Sequence, residues 1–173
     1  QVSPAASMAG RYPAFKLIEP VVLRGEVVRG FGRGSKDLGI PTANLDAEKL
    51  AAELETLDAG IYAGWAQVKG TGVYPCCLSI GWNPFFKSEK KTIEPHIMHE
   101  YAGDFYGSEL TVLVCAYMRP ELDFTDLESL IQAIKDDIAF AGEQAATDAL
   151  DGLKSHACFA GGSDDAAAGA GST

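Results

Sequence analysis

From residue 21 to residue 118 the chain offers one strand-like stretch after another, broken by short turns, without the β–α alternation that a parallel sheet requires. Residues 21–29 are rich in valine and read as a strand. Residues 61–69 alternate, with Ile61, Ala63 and Trp65 on one side. Gly70-Thr71-Gly72 then connects to residues 73–80 as a hairpin, which Gly81-Trp82-Asn83-Pro84 ends. After a charged loop at 87–91, residues 92–101 return as a strand. Asp104-Phe105-Tyr106-Gly107 turns the chain into a last apolar strand at 109–118. Five or six antiparallel strands within about 100 residues predict a closed or nearly closed barrel.

The pattern changes at Arg119-Pro120. Thr125-x-x-Glu128 reads as a capping box, and Leu127, Leu130, Ile131, Ile134, Ile138 and Ala141 follow at helical spacing. One amphipathic helix should therefore pack on the barrel. Leu50, Leu54 and Leu57 also recur at helical spacing, in an Ala/Glu-rich run that suggests a short helix or a collapsed loop. Residues 1–18 are mixed and are expected to be flexible. The barrel domain with its helix is placed at 19–158, and the Gly/Ala/Ser/Asp-rich residues 159–173 are expected to form a disordered tail.

Composition narrows the function classes. The 173 residues suit one domain with an adequate core, 47% hydrophobic and 22% charged. The net charge of −10 argues against a nucleic-acid or anionic-membrane surface. No apolar run approaches the roughly 20 residues of a membrane-spanning helix. Cys76, Cys77, Cys115 and Cys158 form no C-x-x-C pair, and three lie in apolar stretches, which favours reduced thiols and a reducing interior without naming the compartment; the expectation is intracellular, the cytoplasm first and an organelle left open. Nothing along the strands forces an oligomer, so a monomer is expected.

Two stretches carry candidate chemistry. Residues 30–44 read Gly-Phe-Gly-Arg-Gly-Ser-Lys-Asp-Leu-Gly-Ile-Pro-Thr-Ala-Asn. Gly30, Gly32 and Gly34 let the backbone approach another molecule, and Arg33 and Lys36 suit phosphate. It is not a Walker A loop, because Gly39 and Pro41 follow the lysine where a helix would have to start. Thr42 and Asn44 share one side of an extended segment and offer hard oxygen ligands that fit Mg²⁺. The second stretch runs from Trp82 through Thr92-Ile93-Glu94-Pro95-His96-Ile97-Met98-His99. His96 and His99, three apart on a strand, project to opposite faces, which disfavours a shared ion. Glu94 is a candidate general base for a substrate hydroxyl; as composition alone reads it, it is a surface glutamate.

These motifs, with Gly-Trp-Asn-Pro-Phe-Phe, Glu-Pro-His-Ile-Met-His, Asp-Phe-Tyr-Gly and Arg-Pro-Glu-x-x-Phe in order, closely resemble riboflavin kinase (flavokinase) of the eukaryotic type. The resemblance runs from about Leu23 to Ala141. It implies a six-stranded antiparallel Greek-key barrel with a C-terminal helix, transferring the γ-phosphate of ATP to the 5′-hydroxyl of riboflavin to give FMN and ADP. It further implies Mg²⁺ as the metal, with Zn²⁺ in some members. By the same resemblance Glu94 is the catalytic base, and Thr42 and Asn44 hold the metal. Gly30, Gly32, Lys36, Ile97, His99 and Tyr106 lie at the nucleotide, and Arg119, Phe124, Ile134 and Asp137 at the flavin. The substrates would be small molecules. A non-catalytic flavin- or nucleotide-binding barrel is the competing reading, disfavoured by Thr42, Asn44 and Glu94 occurring together. The first residue, Gln1, allows a third: the kinase module of a bifunctional enzyme, fused to a phosphatase-type domain in plants and algae or to an adenylyltransferase in bacteria.

Overall fold

The computed structural model describes residues 10–29, 39–82 and 91–160. Six antiparallel strands close a barrel in the order β1-β2-β5-β4-β3-β6. They are β1 (Lys16–Val28), β2 (Asn44–Leu45), β3 (Gly60–Val68), β4 (Tyr74–Trp82), β5 (Lys91–Ile97) and β6 (Glu109–Arg119). β3, β4 and β5 form a meander. The two-residue β2 bridges its far edge to β1 through Val28↔Asn44 and Leu45↔Ile93. β6 then closes the ring between β1 and β3.

Alternation along β6 accounts for two cores. Leu110, Val112 and Val114 point into the barrel, where Leu23, Tyr62, Leu78, Ile80 and Ile93 meet them. Leu113, Cys115, Ala116 and Met118 belong to an outer core under the helices. Cys115 and Ala116 lie on the same side because the pairing with β3 slips between Ala63↔Ala116 and Gly64↔Val114, where one extra residue turns the strand. Gly64 sits at that slip, and a Cβ there would collide with the Leu113 carbonyl oxygen. β3 is buried on both faces, with Ala66 and Val68 inside and Ala63 and Trp65 outside.

The 19-residue helix α2 (Leu127–Ala145) packs across β3 and β4. A short helix α1 (Ala51–Glu55), continuing a 3-10 turn at Ala47–Leu50, precedes it in the chain. Leu50, Leu54 and Leu57 are all buried at one end of the barrel, as their spacing predicts. Lys91 Nζ donates to the Leu54 and Leu57 carbonyls at 3.1 and 2.6 Å, satisfying acceptors at the end of α1. Helix α3 (Asp148–Asp151) seats Leu150 in the outer core, where its carbonyl accepts from Trp65 Nε1 at 2.9 Å.

Four boundaries differ from those read in the sequence. β1 starts at Lys16, and Tyr12 is only 5% exposed, stacked on Phe140, so ordered packing begins before residue 19. Phe159 is buried at a 3-10 turn and belongs with the outer core rather than with a tail. β5 ends at Ile97, because His99 N donates back to the Ile97 carbonyl at 2.8 Å and turns the chain. The cap of α2 is Asp126, one residue past Thr125. Its Oδ1 accepts from Ser129 N and its Oδ2 from Ser129 Oγ, both at 2.8 Å. Those bonds hold the Asp126 carboxyl below the usual range. Among the described residues no helix is long and apolar enough to cross a membrane.

Candidate active site

The apolar stripe of α2 is not uniformly buried. Its C-terminal half, with Phe140, Ala141 and Ala145, is sealed against the barrel. Its N-terminal half stands off, so that Leu127, Leu130, Ile134 and Ile138 line an open cavity of about 560 Å³. The other walls are Cys77, Leu78 and Ser79 of β4, Glu94 and His96 of β5, and the segment from Arg119 to Phe124 that links β6 to the helix. Leu122 and Leu127 remain 56% and 59% exposed at its mouth. A cavity of this size, mostly apolar with a few polar groups, suits a small organic ligand.

Two charged sites face this space. Arg119 is gripped by the carboxylate of Asp137, Nε to Oδ1 at 2.9 Å and Nη2 to Oδ2 at 2.6 Å. Burial opposes the guanidinium charge, but the bonds to Asp137 outweigh it and raise the pKa of Arg119. Glu94 lies opposite Ser79 in the β4–β5 ladder. Burial raises its pKa above the ordinary glutamate value, and no described residue donates a hydrogen bond or ion pair to its carboxylate. A half-buried carboxylate without a partner is costly to keep ionised, which fits a group that takes up a proton in use.

A second cavity, of about 110 Å³, opens on the other side of Thr42. Ile97, His99, Tyr101, Phe105 and Tyr106 line it together with Val27 and Asp104. Its floor is aromatic: His99 stacks on Tyr74 at 3.8 Å, and Tyr101 meets the rings of His99 and Phe105 at 4.7 and 4.8 Å. Tyr106 sits on a turn tied to β1 by Gly107 N to Val27 O and Val27 N to Ser108 O, both 2.9 Å. Gly107 takes a positive φ of 81° there, and the Arg29 guanidinium carbon lies 4.5 Å from the centre of the Tyr106 ring.

Thr42 lines both cavities. Two bonds hold its segment against β5: Ala43 N donates to the Pro95 carbonyl at 2.9 Å, and His96 Nδ1 lies 2.6 Å from the Pro41 carbonyl oxygen. A carbonyl only accepts, so Nδ1 is the protonated, donating nitrogen of this contact. Ala43 and Leu45 point into the barrel core, which leaves Thr42 and Asn44 on the opposite side. Among the described residues no three His, Cys, Asp or Glu side chains are grouped to hold a metal. A hydroxyl and an amide oxygen instead suit a hard cation that takes its remaining ligands from water and phosphate.

The residues expected at the site thus divide. Thr42, Glu94, Arg119, Phe124, Ile134 and Asp137 meet in the larger cavity, and Thr42, Ile97, His99 and Tyr106 in the smaller. Asn44 lines neither and follows Thr42 at the start of β2. Gly30, Gly32 and Lys36 lie outside the described residues. His96 and His99 line different cavities. Sequence reasoning missed Cys77, Leu78 and Ser79, because alternation along β4 does not reveal which of its residues border a cavity. It also missed His96 as the tie to Pro41, a contact across 55 positions that no local signal encodes.

Comparison with known proteins gives the family. Residues 17–145 match the family model described as "Flavokinase: Riboflavin kinase". The chain is 53% identical over 122 residues to the riboflavin kinase of Homo sapiens, covering 69% of this chain and 77% of that protein. It is 48% identical over 144 residues to the bifunctional riboflavin kinase/FMN phosphatase of Arabidopsis thaliana, covering 83% of this chain but only 36% of that protein. The crystal structure of riboflavin kinase from Trypanosoma brucei superposes with a TM-score of 0.67 at 27% identity, over 91% of this chain and 94% of that one. The chain belongs to the riboflavin kinase family.

Proposed function

We propose that the chain phosphorylates riboflavin, moving the γ-phosphate of ATP to the 5′-hydroxyl to give FMN and ADP, with Glu94 as general base. The observation that carries this reading is the meeting of two cavities at Thr42, with the Glu94 carboxylate, which has no partner among the described residues, in the larger. The apolar wall of α2 suits the flavin ring, and Arg119 and Asp137 give that wall a polar edge. Phe124 and Ile134 contribute apolar contact. The smaller cavity takes the nucleotide against Ile97, His99 and Tyr106, and Gly30, Gly32 and Lys36 bind its phosphates from the glycine loop.

Phosphoryl transfer asks the protein mainly for positioning and charge stabilisation. Glu94 accepts the proton of the ribityl hydroxyl as its oxygen bonds to the γ-phosphorus, and the bond from that phosphorus to the β–γ bridging oxygen breaks, releasing ADP. Thr42 and Asn44 would hold Mg²⁺, with Zn²⁺ as the alternative. Such a metal, when bound, neutralises phosphate charge. The test is FMN formation from riboflavin and ATP, with and without Mg²⁺, for wild type and Glu94→Gln. Loss of a general base should lower kcat by about 10²–10⁴-fold. Undiminished turnover in Glu94→Gln would remove Glu94 from the role, and no FMN from the wild type would sink the kinase reading in favour of a binding module.

Two wider readings rest on particular observations. The Arabidopsis relative is bifunctional and much longer than the matched part, which supports this chain as one module beside a phosphatase-type domain. Sequencing the full transcript decides it. A cytoplasmic monomer is supported by the buried, free thiols of Cys76, Cys77 and Cys115 and by a barrel in which each of the six described strands has a neighbour on both sides. Light scattering in solution tests the monomer.

A further inference from the structure

Tyr12 lies upstream of every motif, yet it is bound into the wall of the larger cavity from behind. Its ring stacks on Phe140 with centroids 4.0 Å apart and planes 7° apart, and Phe15 meets Phe140 edge-on at 5.4 Å. Its hydroxyl donates to Asp137 Oδ1 at 2.9 Å. That same oxygen accepts from Arg119 Nε at 2.9 Å, while Oδ2 accepts from Arg119 Nη2 at 2.6 Å. Arg11 adds an ion pair to Asp136, Nη1 to Oδ2 at 2.8 Å, one residue along α2.

Asp137 is 2% exposed, so its charge is carried almost wholly by these partners. Arg119 also donates from Nη1 to the Pro120 carbonyl at 2.8 Å. With five N–H groups on a guanidinium and these three bonds made, one N–H on each terminal nitrogen is left for other acceptors. Arg119 and Asp137 both line the cavity, whereas Tyr12 does not. Burial, and then the neighbouring Asp137 carboxylate, push the Tyr12 phenol well above its ordinary pKa, so it keeps its proton and remains a donor.

We propose that Tyr12 is a positioning residue for riboflavin, its hydroxyl fixing the Asp137 carboxylate and, through it, the plane in which Arg119 presents its remaining N–H groups to the flavin. This rests on the larger cavity being the flavin site. Removing the hydroxyl frees Oδ1 from one of its two donors, and the carboxylate and the guanidinium gain rotational freedom together. The loss falls on flavin binding, because Arg119 and Asp137 line the larger cavity and not the smaller, where Ile97, His99 and Tyr106 lie.

Steady-state kinetics on Tyr12→Phe, which keeps the ring stack, tests the role, with Phe140→Leu as the partner variant that keeps the hydroxyl and loses the stack. The expected result for Tyr12→Phe is a riboflavin KM raised about fivefold, the scale of one lost hydrogen bond of typical net strength, with kcat and the ATP KM unchanged. Phe140→Leu should lower Tm and leave the ratio of the two KM values near wild type. An unshifted riboflavin KM in Tyr12→Phe, while the wild type makes FMN, overturns the Tyr12 role alone. A parallel decline of all parameters in Tyr12→Phe, tracking Tm, also overturns it, since that is what a purely structural tie would give. Absence of FMN from the wild type overturns instead the reading of the reaction.

Discussion

Glu94 faces conflicting demands. Burial raises its pKa, so the folded protein binds its proton more tightly than the unfolded chain does. Between the unfolded value and the raised folded value, the native state therefore holds more protons. Stability contributed at this residue falls as pH rises through that window, the reverse of a salt-bridged carboxylate. Glu94→Gln should accordingly raise Tm at neutral pH and leave it little changed at acidic pH, while activity collapses. Differential scanning fluorimetry across pH checks this, and a lowered Tm at neutral pH would mean that Glu94 has a stabilising partner. The same shift places the acidic limb of kcat/KM above the ordinary glutamate range, as a base working near neutrality requires. At this scale the type and order of the site residues were legible in the sequence. Burial was not, because it depends on how β4, β5 and the Arg119–Pro120 segment converge.

At the scale of elements, the strand-after-strand pattern and the spacing from Leu127 to Ala141 were enough to predict a barrel with one covering helix. Three elements escaped for physical reasons. β2 is two residues long, too short for alternation to register. The cap of α2 fell on Asp126, because Thr125 and Asp126 are both good capping residues and apolar periodicity cannot separate neighbours. The N-terminal packing hung on Tyr12 and Phe15, two aromatics in a mixed segment with no period to reveal a partner on α2. Periodicity likewise showed that α2 has an apolar face without showing that half of it borders open space. The slip between β3 and β6 is equally silent in sequence, and it yields a sharp expectation. In Gly64→Ala the new methyl would meet backbone, which cannot move aside like a side chain, so the barrel should lose at least about 1–3 kcal/mol of stability. Urea denaturation measures it, and a midpoint equal to wild type would contradict the close approach described at Gly64.

The molecule as a whole is a closed barrel that puts two unlike cavities on either side of one short segment. The larger, under the standing half of α2, is apolar with an Arg119–Asp137 edge. The smaller, with its floor of stacked rings, is held at the turn beside β1. Neither strand order nor composition predicts that arrangement; it follows from Thr42 being tied to β5 by Ala43 and His96. With a net charge of −10, an anionic nucleotide meets a repulsive background, so local groups must hold it. The most direct measurement is a crystal structure with riboflavin and a non-hydrolysable ATP analogue bound together. The account predicts the flavin ring against Ile134 and Ile138, the nucleotide beside His99 and Tyr106, and the ribityl 5′-oxygen within about 2.6–3.2 Å of the Glu94 carboxylate. A flavin seated in the smaller cavity, or a 5′-oxygen far from Glu94 with both ligands in place, would contradict it.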